Sequence, residues 1–117
     1  MAFNLKEIVA EKEGYLASGH RMCSGCGAPV VTRMVMRAVH PGDHPVVSNA
    51  TGCMEVSTCI YPYSSWDCSY IHTAFECAAA TCSGVESAYK ALKRKGKLNE
   101  DENFKFITLV EMAEHMI

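Results

Sequence analysis

Two cysteines separated by two residues are the clearest sign of chemistry in this chain. Cys23 and Cys26 lie in a segment rich in glycine and small residues, which favours a loop that wraps closely around a ligand. The C-x-x-C spacing lets two thiolates converge on one metal ion or one iron–sulfur cluster. From the residues alone the pair fits an iron–sulfur site, half of a zinc site, a redox dithiol or two inert thiols.

A third cysteine, Cys53, stands in a second glycine-containing loop directly after a short predicted strand, so the fold can bring it to the first pair. Zinc and four-iron clusters usually take four protein ligands, which leaves three thiolates one ligand short. The remaining cysteines make no second C-x-x-C. We expect Cys77 and Cys82 to be buried packing residues, while Cys59 and Cys68 flank an aromatic loop and are not assigned.

The elements that must position these loops alternate between helices and strands. Pro29 suits the first turn of a helix that continues to Ala38, and residues 46–49 are typical of a short strand. Residues 73–95 carry apolar side chains at helical spacing together with many small residues, which predicts a long helix packed on a sheet. Residues 104–110 predict a buried strand. A strand, helix, strand order indicates an α/β fold with a parallel sheet.

Length and composition limit the classes of protein to which the chain can belong. The 117 residues suit one small domain, residues 1–117, and a net charge of -2 gives no nucleic-acid-binding footprint. No apolar stretch reaches the about 18 to 20 residues of a membrane helix, and charged residues replace the core of a signal peptide near the start. A short amphipathic helix is predicted over residues 5–12. The absence of a membrane segment and of a signal-peptide core predicts a cytoplasmic protein. Seven cysteines are many for such a chain, and an odd number does not close a disulfide framework, so we expect metal or redox chemistry for some of them.

Several segments carry a resemblance to one family. From residue 15 to residue 110 the chain is similar to the amino-terminal part of the beta subunits of pyruvate synthase, or pyruvate:ferredoxin oxidoreductase, within the 2-oxoacid:ferredoxin oxidoreductases. The segments are GHRMCSGCGAP (19–29), SNATGC (48–53), YPYSSW (61–66), IHTAFE (71–76) and SGVESA (83–88). The resemblance implies a thiamine-diphosphate-binding fold, in which a parallel sheet is flanked by helices.

The resemblance also implies cofactors and partners. Cys23, Cys26 and Cys53 match three ligands of a 4Fe-4S cluster that lies beside thiamine diphosphate and its Mg²⁺. The implied reaction is oxidative decarboxylation of a 2-oxoacid to acyl-CoA, with electrons passed through the cluster to ferredoxin and an alpha subunit as partner. Coenzyme A takes the acyl group, and pyruvate is the expected substrate from resemblance only.

Four further residues are candidate cofactor contacts. Thr51 and Gly52 precede Cys53 and offer a hydroxyl and a close backbone approach, although turn chemistry alone would also select them. His72 and Glu76 are four residues apart, at the predicted start of the long helix, where they would face the cofactor region together. As an alternative, they form an ordinary pair at a helix start, where glutamate is favoured.

Two departures from the family pattern predict an incomplete domain. No cysteine follows Cys82, so a fourth cluster ligand is missing, and residues 104–110 lead into EMAEHMI instead of the Gly-Asp-Gly expected to help hold magnesium. Glu111 and Glu114 in this divergent tail, residues 111–117, are expected to be solvated. We therefore expect a truncated subunit that is inactive alone. The alternatives are a zinc-binding or cluster-binding module without catalysis, and a nonfunctional fragment.

Overall fold

The computed structural model describes residues 14–99 and 101–110. The helix predicted over residues 5–12 and the tail 111–117 lie outside these residues. The described elements are, in order, α1 (Gly27–Arg37), β1 (Asp43–Ala50), α2 (Cys53–Thr58), β2 (Ser69–Thr73), α3 (Ala78–Arg94) and β3 (Asn103–Leu109). None of the helices in this described part has the length and apolar character that crossing a membrane requires.

The three strands form one parallel sheet in the order β2-β1-β3, which confirms the predicted α/β fold with a parallel sheet flanked by helices. The central strand β1 is buried over its last six residues. Burial on both faces explains why its sequence is a run of apolar and small residues instead of an alternating pattern. The helix that begins just before Pro29 and the strand before Val110 are likewise confirmed.

The two faces of β1 pack on different helices. Val47 joins Leu16, Trp66 and Met36 of α1 in the buried core. On the alternate face, the Ser48 hydroxyl donates a hydrogen bond of 3.0 Å to the Ala78 carbonyl at the start of α3. Successive side chains of a strand point to opposite faces, so α1 and α3 cover opposite sides of the sheet. The sheet is therefore the middle of three layers.

The long helix packs on the sheet through part of its surface. The Tyr89 ring of α3 lies 5.1 Å from the ring of Phe104 and 5.5 Å from that of Phe106. Cys82 is buried, as predicted, whereas Cys77 is only half-buried at the residue before α3. The helix therefore contacts the sheet along one side, and its small residues Ala79, Ala80, Ser83 and Gly84 are exposed in this chain.

Two local predictions were wrong. Residues 69–73 form the strand β2, so His72 lies on a strand, Glu76 lies in the following turn, and the long helix begins only at Ala78. The sequence SYIHT is short and half polar, and its extended state depends on pairing with β1, which local spacing does not reveal. Cys53 is the first residue of the short helix α2 and not a loop residue.

The aromatic loop between α2 and β2 is packed at one residue and open at others. Trp66 is 8% exposed, and its backbone pairs with that of Leu16 in an isolated antiparallel β-bridge. Tyr61 and Tyr63 are 94% and 75% exposed. The tryptophan of this loop therefore packs into the core, whereas the two tyrosines face solvent. The strand β3 has no second neighbouring strand among the described residues, and α1 exposes Val30, Val31 and Met34. A free sheet edge and an exposed apolar surface favour association with other chains.

One hydrogen-bond pair fixes the end of α2 to the core, and its loss should destabilise the chain. The Trp66 Nε1–H donates to Thr58 Oγ1 at 2.9 Å, and Thr58 Oγ1 donates to the Met54 carbonyl at 2.6 Å. Thr58→Val keeps the shape but leaves the buried indole N–H without an acceptor. We expect the free energy of unfolding to fall by about 1 to 3 kcal/mol. Urea unfolding followed by the fluorescence of the single tryptophan measures this.

The matched control for that change is Thr58→Ser, which retains the hydroxyl. We expect its unfolding midpoint to lie close to that of the unchanged chain, apart from the loss of one methyl group. Equal midpoints for the valine and serine variants would show that the hydroxyl does not anchor α2.

Candidate functional site

The carboxyl ends of β1 and β2 lie side by side at one edge of the sheet. Asn49 pairs with His72, and Ala50 pairs with Thr73, in the parallel register. The loop that follows β1 therefore begins beside the end of β2. Open α/β sheets place their ligand sites outside the carboxyl ends of their strands, so this edge is the candidate site.

Thr51 and His72, two of the predicted site residues, are in contact at this edge. Thr51 Oγ1 lies 2.8 Å from His72 Nε2 and 3.0 Å from the Thr73 carbonyl. The backbone N–H of Thr51 donates to the same carbonyl at 3.0 Å. Thr51 and His72 therefore share this edge, although His72 lies on a strand and not at the predicted helix start, and their role in binding stays a prediction.

Glu55 is a member of this group that the sequence analysis missed. Its Oε1 lies 3.6 Å from His72 Nδ1, and the residue is 8% exposed in the first turn of α2. The signal was an acidic residue two positions after Cys53, but it becomes informative only once a helix is known to start there. The three side chains form a line of carboxylate, imidazole and hydroxyl.

Glu76 and Gly52 take different places. Glu76 is exposed in the turn before α3, where the thiol of its neighbour Cys77 lies 3.7 Å from Glu76 Oε1. Among the described residues nothing joins Glu76 to the His72–Thr51 pair. Gly52 is the residue before α2, has an extended φ of 178°, and its carbonyl accepts the N–H of Val56 at 3.0 Å. The role of Gly52 in binding stays a prediction.

The C-x-x-C segment forms a tight turn that leads into α1. The Cys26 N–H donates to the Cys23 carbonyl at 3.1 Å, and Gly25 has a φ of +79°, which glycine adopts without strain. The Arg21 N–H donates to the Ser57 carbonyl of α2 at 2.9 Å. The turn is thereby tied to the helix that begins at Cys53.

The three predicted metal ligands are not gathered into one ligand set. Cys23 and Cys53 are exposed and Cys26 is half-buried. Over residues 14–99 and 101–110, no group of three or more histidine, cysteine, aspartate or glutamate side chains is placed to hold a metal ion. The thiols have the chemistry that an iron–sulfur cluster or zinc takes, but the described residues do not complete such a site. Their role as ligands stays a prediction.

A buried polar cluster lies beneath the loop that follows β1. Asn49 is 0% exposed, and its side-chain amide lies beside the buried hydroxyl of Tyr70. Burial raises the pKa of Tyr70 far above its usual range, the nearby Cys59 thiol adds to this, and the Asn49 amide opposes it. The two side chains are therefore polar neighbours within the core beneath the candidate edge.

Comparison with known proteins identifies relatives over most of the chain. No family model matches it. The chain is 56% identical over 111 residues to the pyruvate synthase subunit PorB of Thermotoga maritima, a match that covers 92% of this chain and 34% of that protein. It is 49% identical to the PorB subunit of Methanocaldococcus jannaschii, over 84% of this chain and 32% of that protein.

A more distant relative is named for a different 2-oxoacid. The ketoisovalerate oxidoreductase subunit VorB of Pyrococcus furiosus is 35% identical over 79% of this chain and 29% of that protein. The chain thus spans about a third of the length of the curated relatives it matches. Over that shared length, the chain belongs to the family of pyruvate synthase PorB subunits.

Proposed function

We propose that this chain is part of the beta subunit of a 2-oxoacid:ferredoxin oxidoreductase that acts on pyruvate. The observation that carries the proposal is the order of the identities. Seven relatives named pyruvate synthase subunits are 42 to 56% identical to the chain, whereas the relative named for ketoisovalerate is 35% identical. This order favours pyruvate over a branched 2-oxoacid.

The proposed cofactors are thiamine diphosphate with Mg²⁺ and a 4Fe-4S cluster. When bound, they supply the reactive carbon for decarboxylation and a path for electrons to ferredoxin, while coenzyme A takes the acyl group. Cys23, Cys26 and Cys53 are the proposed cluster ligands, since their thiols have the required chemistry and the Arg21 N–H bond to the Ser57 carbonyl joins the C-x-x-C segment to the helix that begins at Cys53. The fourth ligand and the magnesium ligands would come from outside the described residues.

The residues of the candidate site are placed to contact a cofactor at the sheet edge. Thr51 and Gly52 form the short connection between β1 and α2, so a ligand at the sheet edge would approach the backbone closely there. His72 closes one side of this connection from β2. We propose Thr51, Gly52 and His72 as residues that line the cofactor. Glu76 was predicted with them, and its role stays a prediction because its position in the turn before α3 lends no support.

The proposal extends to partners, location and domain organisation. We propose that the chain works with an alpha subunit, and with further subunits, in the cytoplasm, and that residues 1–117 form one incomplete thiamine-diphosphate-binding domain. The naming of every pyruvate relative as a subunit supports a multi-subunit assembly. Activity of the isolated chain is not part of the proposal.

Anaerobic reconstitution of the chain with iron and sulfide, with a small thiol as the outside ligand, tests the proposed cluster. A broad visible absorption band is expected, and it should disappear in Cys53→Ala, because two thiolates hold a cluster poorly. The matched control is Cys82→Ala, which changes a buried packing residue and should retain the band.

Two outcomes of that experiment oppose the proposal. Stoichiometric zinc binding without an iron-dependent band would favour the alternative of a zinc module that lacks 2-oxoacid chemistry. Loss of the band in Cys82→Ala with Cys53→Ala unaffected would reverse the proposed division of roles among the cysteines.

A further inference from the structure

His72 contacts residues on both sides of Cys53. Its Nε2 lies 2.8 Å from Thr51 Oγ1, two residues before the cysteine, and its Nδ1 lies 3.6 Å from Glu55 Oε1, two residues after it. Thr51 and Glu55 are four residues apart in sequence. The imidazole ring of His72, on β2, contacts both. The ring therefore bridges the start and the end of the turn that carries Cys53.

The imidazole of His72 has a hydrogen-bond partner near each ring nitrogen. The Thr51 hydroxyl has one hydrogen and lies 3.0 Å from the Thr73 carbonyl and 2.8 Å from His72 Nε2. Glu55 Oε1, which can only accept a hydrogen, lies beside Nδ1. A neutral ring with its hydrogen on Nδ1 points that hydrogen towards Glu55 and leaves Nε2 as an acceptor for the Thr51 hydroxyl, so one tautomer serves both contacts.

Backbone bonds hold the same turn from both ends. The Thr51 N–H donates to the Thr73 carbonyl at 3.0 Å, and the Thr73 hydroxyl donates to the Asn49 carbonyl at 3.2 Å. On the other side of the cysteine, the Val56 N–H donates to the Gly52 carbonyl at 3.0 Å. Hydrogen bonds thus hold the turn to β2 on the N-terminal side of Cys53 and to α2 on its C-terminal side. The side chain of His72 contacts both sides.

We infer that His72 and Glu55 are positioning residues that clamp the turn 51–53 onto the end of β2 and so fix the direction of the Cys53 side chain. The inference rests on the proposed function only in taking this turn as part of the site. The clamp itself needs no cofactor.

Amide hydrogen exchange and ring-nitrogen NMR of the metal-free chain test the clamp. In His72→Ala the Thr51 N–H should exchange about fivefold faster, since one hydrogen bond is lost from the turn. The Val47 N–H, in the centre of the sheet, should keep its rate, which separates local loosening from general destabilisation. In the unchanged chain the neutral ring should carry its hydrogen on Nδ1, and Glu55→Ala should produce a mixture of both tautomers.

Conservative variants provide the matched controls. Glu55→Gln keeps an acceptor oxygen beside Nδ1 and should retain the protection of the Thr51 N–H, whereas Glu55→Ala should lose part of it. His40→Ala changes an exposed histidine whose contact is with the adjacent Pro41 carbonyl, and it should have no effect on Thr51. Unchanged exchange in His72→Ala, or a neutral ring with its hydrogen on Nε2, would overturn the clamp. Neither readout depends on iron, so failed reconstitution would oppose the proposed function and leave the clamp intact.

Discussion

Titration of the 117-residue chain with magnesium and thiamine diphosphate is expected to show no binding in the micromolar range. The diphosphate is a dense anion that needs a metal ion and fixed donors. Within residues 14–99 and 101–110 no group of three or more potential ligands is placed to hold a cation. Glu55 faces His72, and the Thr51 hydroxyl contacts His72 Nε2 and the Thr73 carbonyl. The described residues at the candidate edge therefore offer the diphosphate no group placed to hold its metal ion, which is the reason for this expectation.

Isothermal titration calorimetry measures this, with magnesium ADP as a control for general attraction of a diphosphate. A full-length relative such as the PorB subunit of Thermotoga maritima, assembled with the other subunits of its enzyme, should bind thiamine diphosphate under the same conditions if the proposed function is right. Micromolar binding of thiamine diphosphate, but not of ADP, by the 117-residue chain would show that a complete site exists within it. The account of the candidate edge as incomplete would then be wrong.

Cys68 is expected to react with an alkylating reagent much more slowly than an ordinary thiol. Burial, with a smaller effect of the Asp67 carboxylate, raises the pKa of Cys68 from 9.0 to about 11. The thiolate is the reactive form, so at pH 8 its fraction should be about a hundredfold lower than for an unshifted thiol. Mass spectrometry of peptides after timed treatment with iodoacetamide measures the rate, and exposed Cys23 and Cys53 serve as internal references.

The same shift in pKa predicts how stability depends on pH. Because the folded chain holds the Cys68 proton more tightly than the unfolded chain, the contribution of this thiol to the free energy of unfolding is intact below about pH 9 and is lost as pH rises towards about 11.

The urea-unfolded chain is the matched control for the alkylation experiment, since its Cys68 should be alkylated at the ordinary rate. Equal rates in the folded and unfolded chains would mean that the thiol is not shielded.

Local sequence determined the parts of the fold that depend on near neighbours. The helix that begins around Pro29 and the strands β1 and β3 follow from a continuous apolar run or a repeated spacing. The turn between Cys23 and Cys26 follows from glycine, which permits the positive φ at Gly25. The parallel arrangement follows from the order of these elements, because parallel strands need a long crossover.

Only the tertiary structure decided the features that depend on distant residues. The strand β2 exists because it pairs with β1, and this pairing moved His72 from a predicted helix start to the sheet edge beside Thr51. Glu55 joined the site because α2 turns it towards β2. The raised pKa of Cys68 depends on burial, which no spacing reports. Residue types and spacing thus indicated which side chains could bind a cofactor or metal. Contacts between segments far apart in the chain determined which side chain each of them touches.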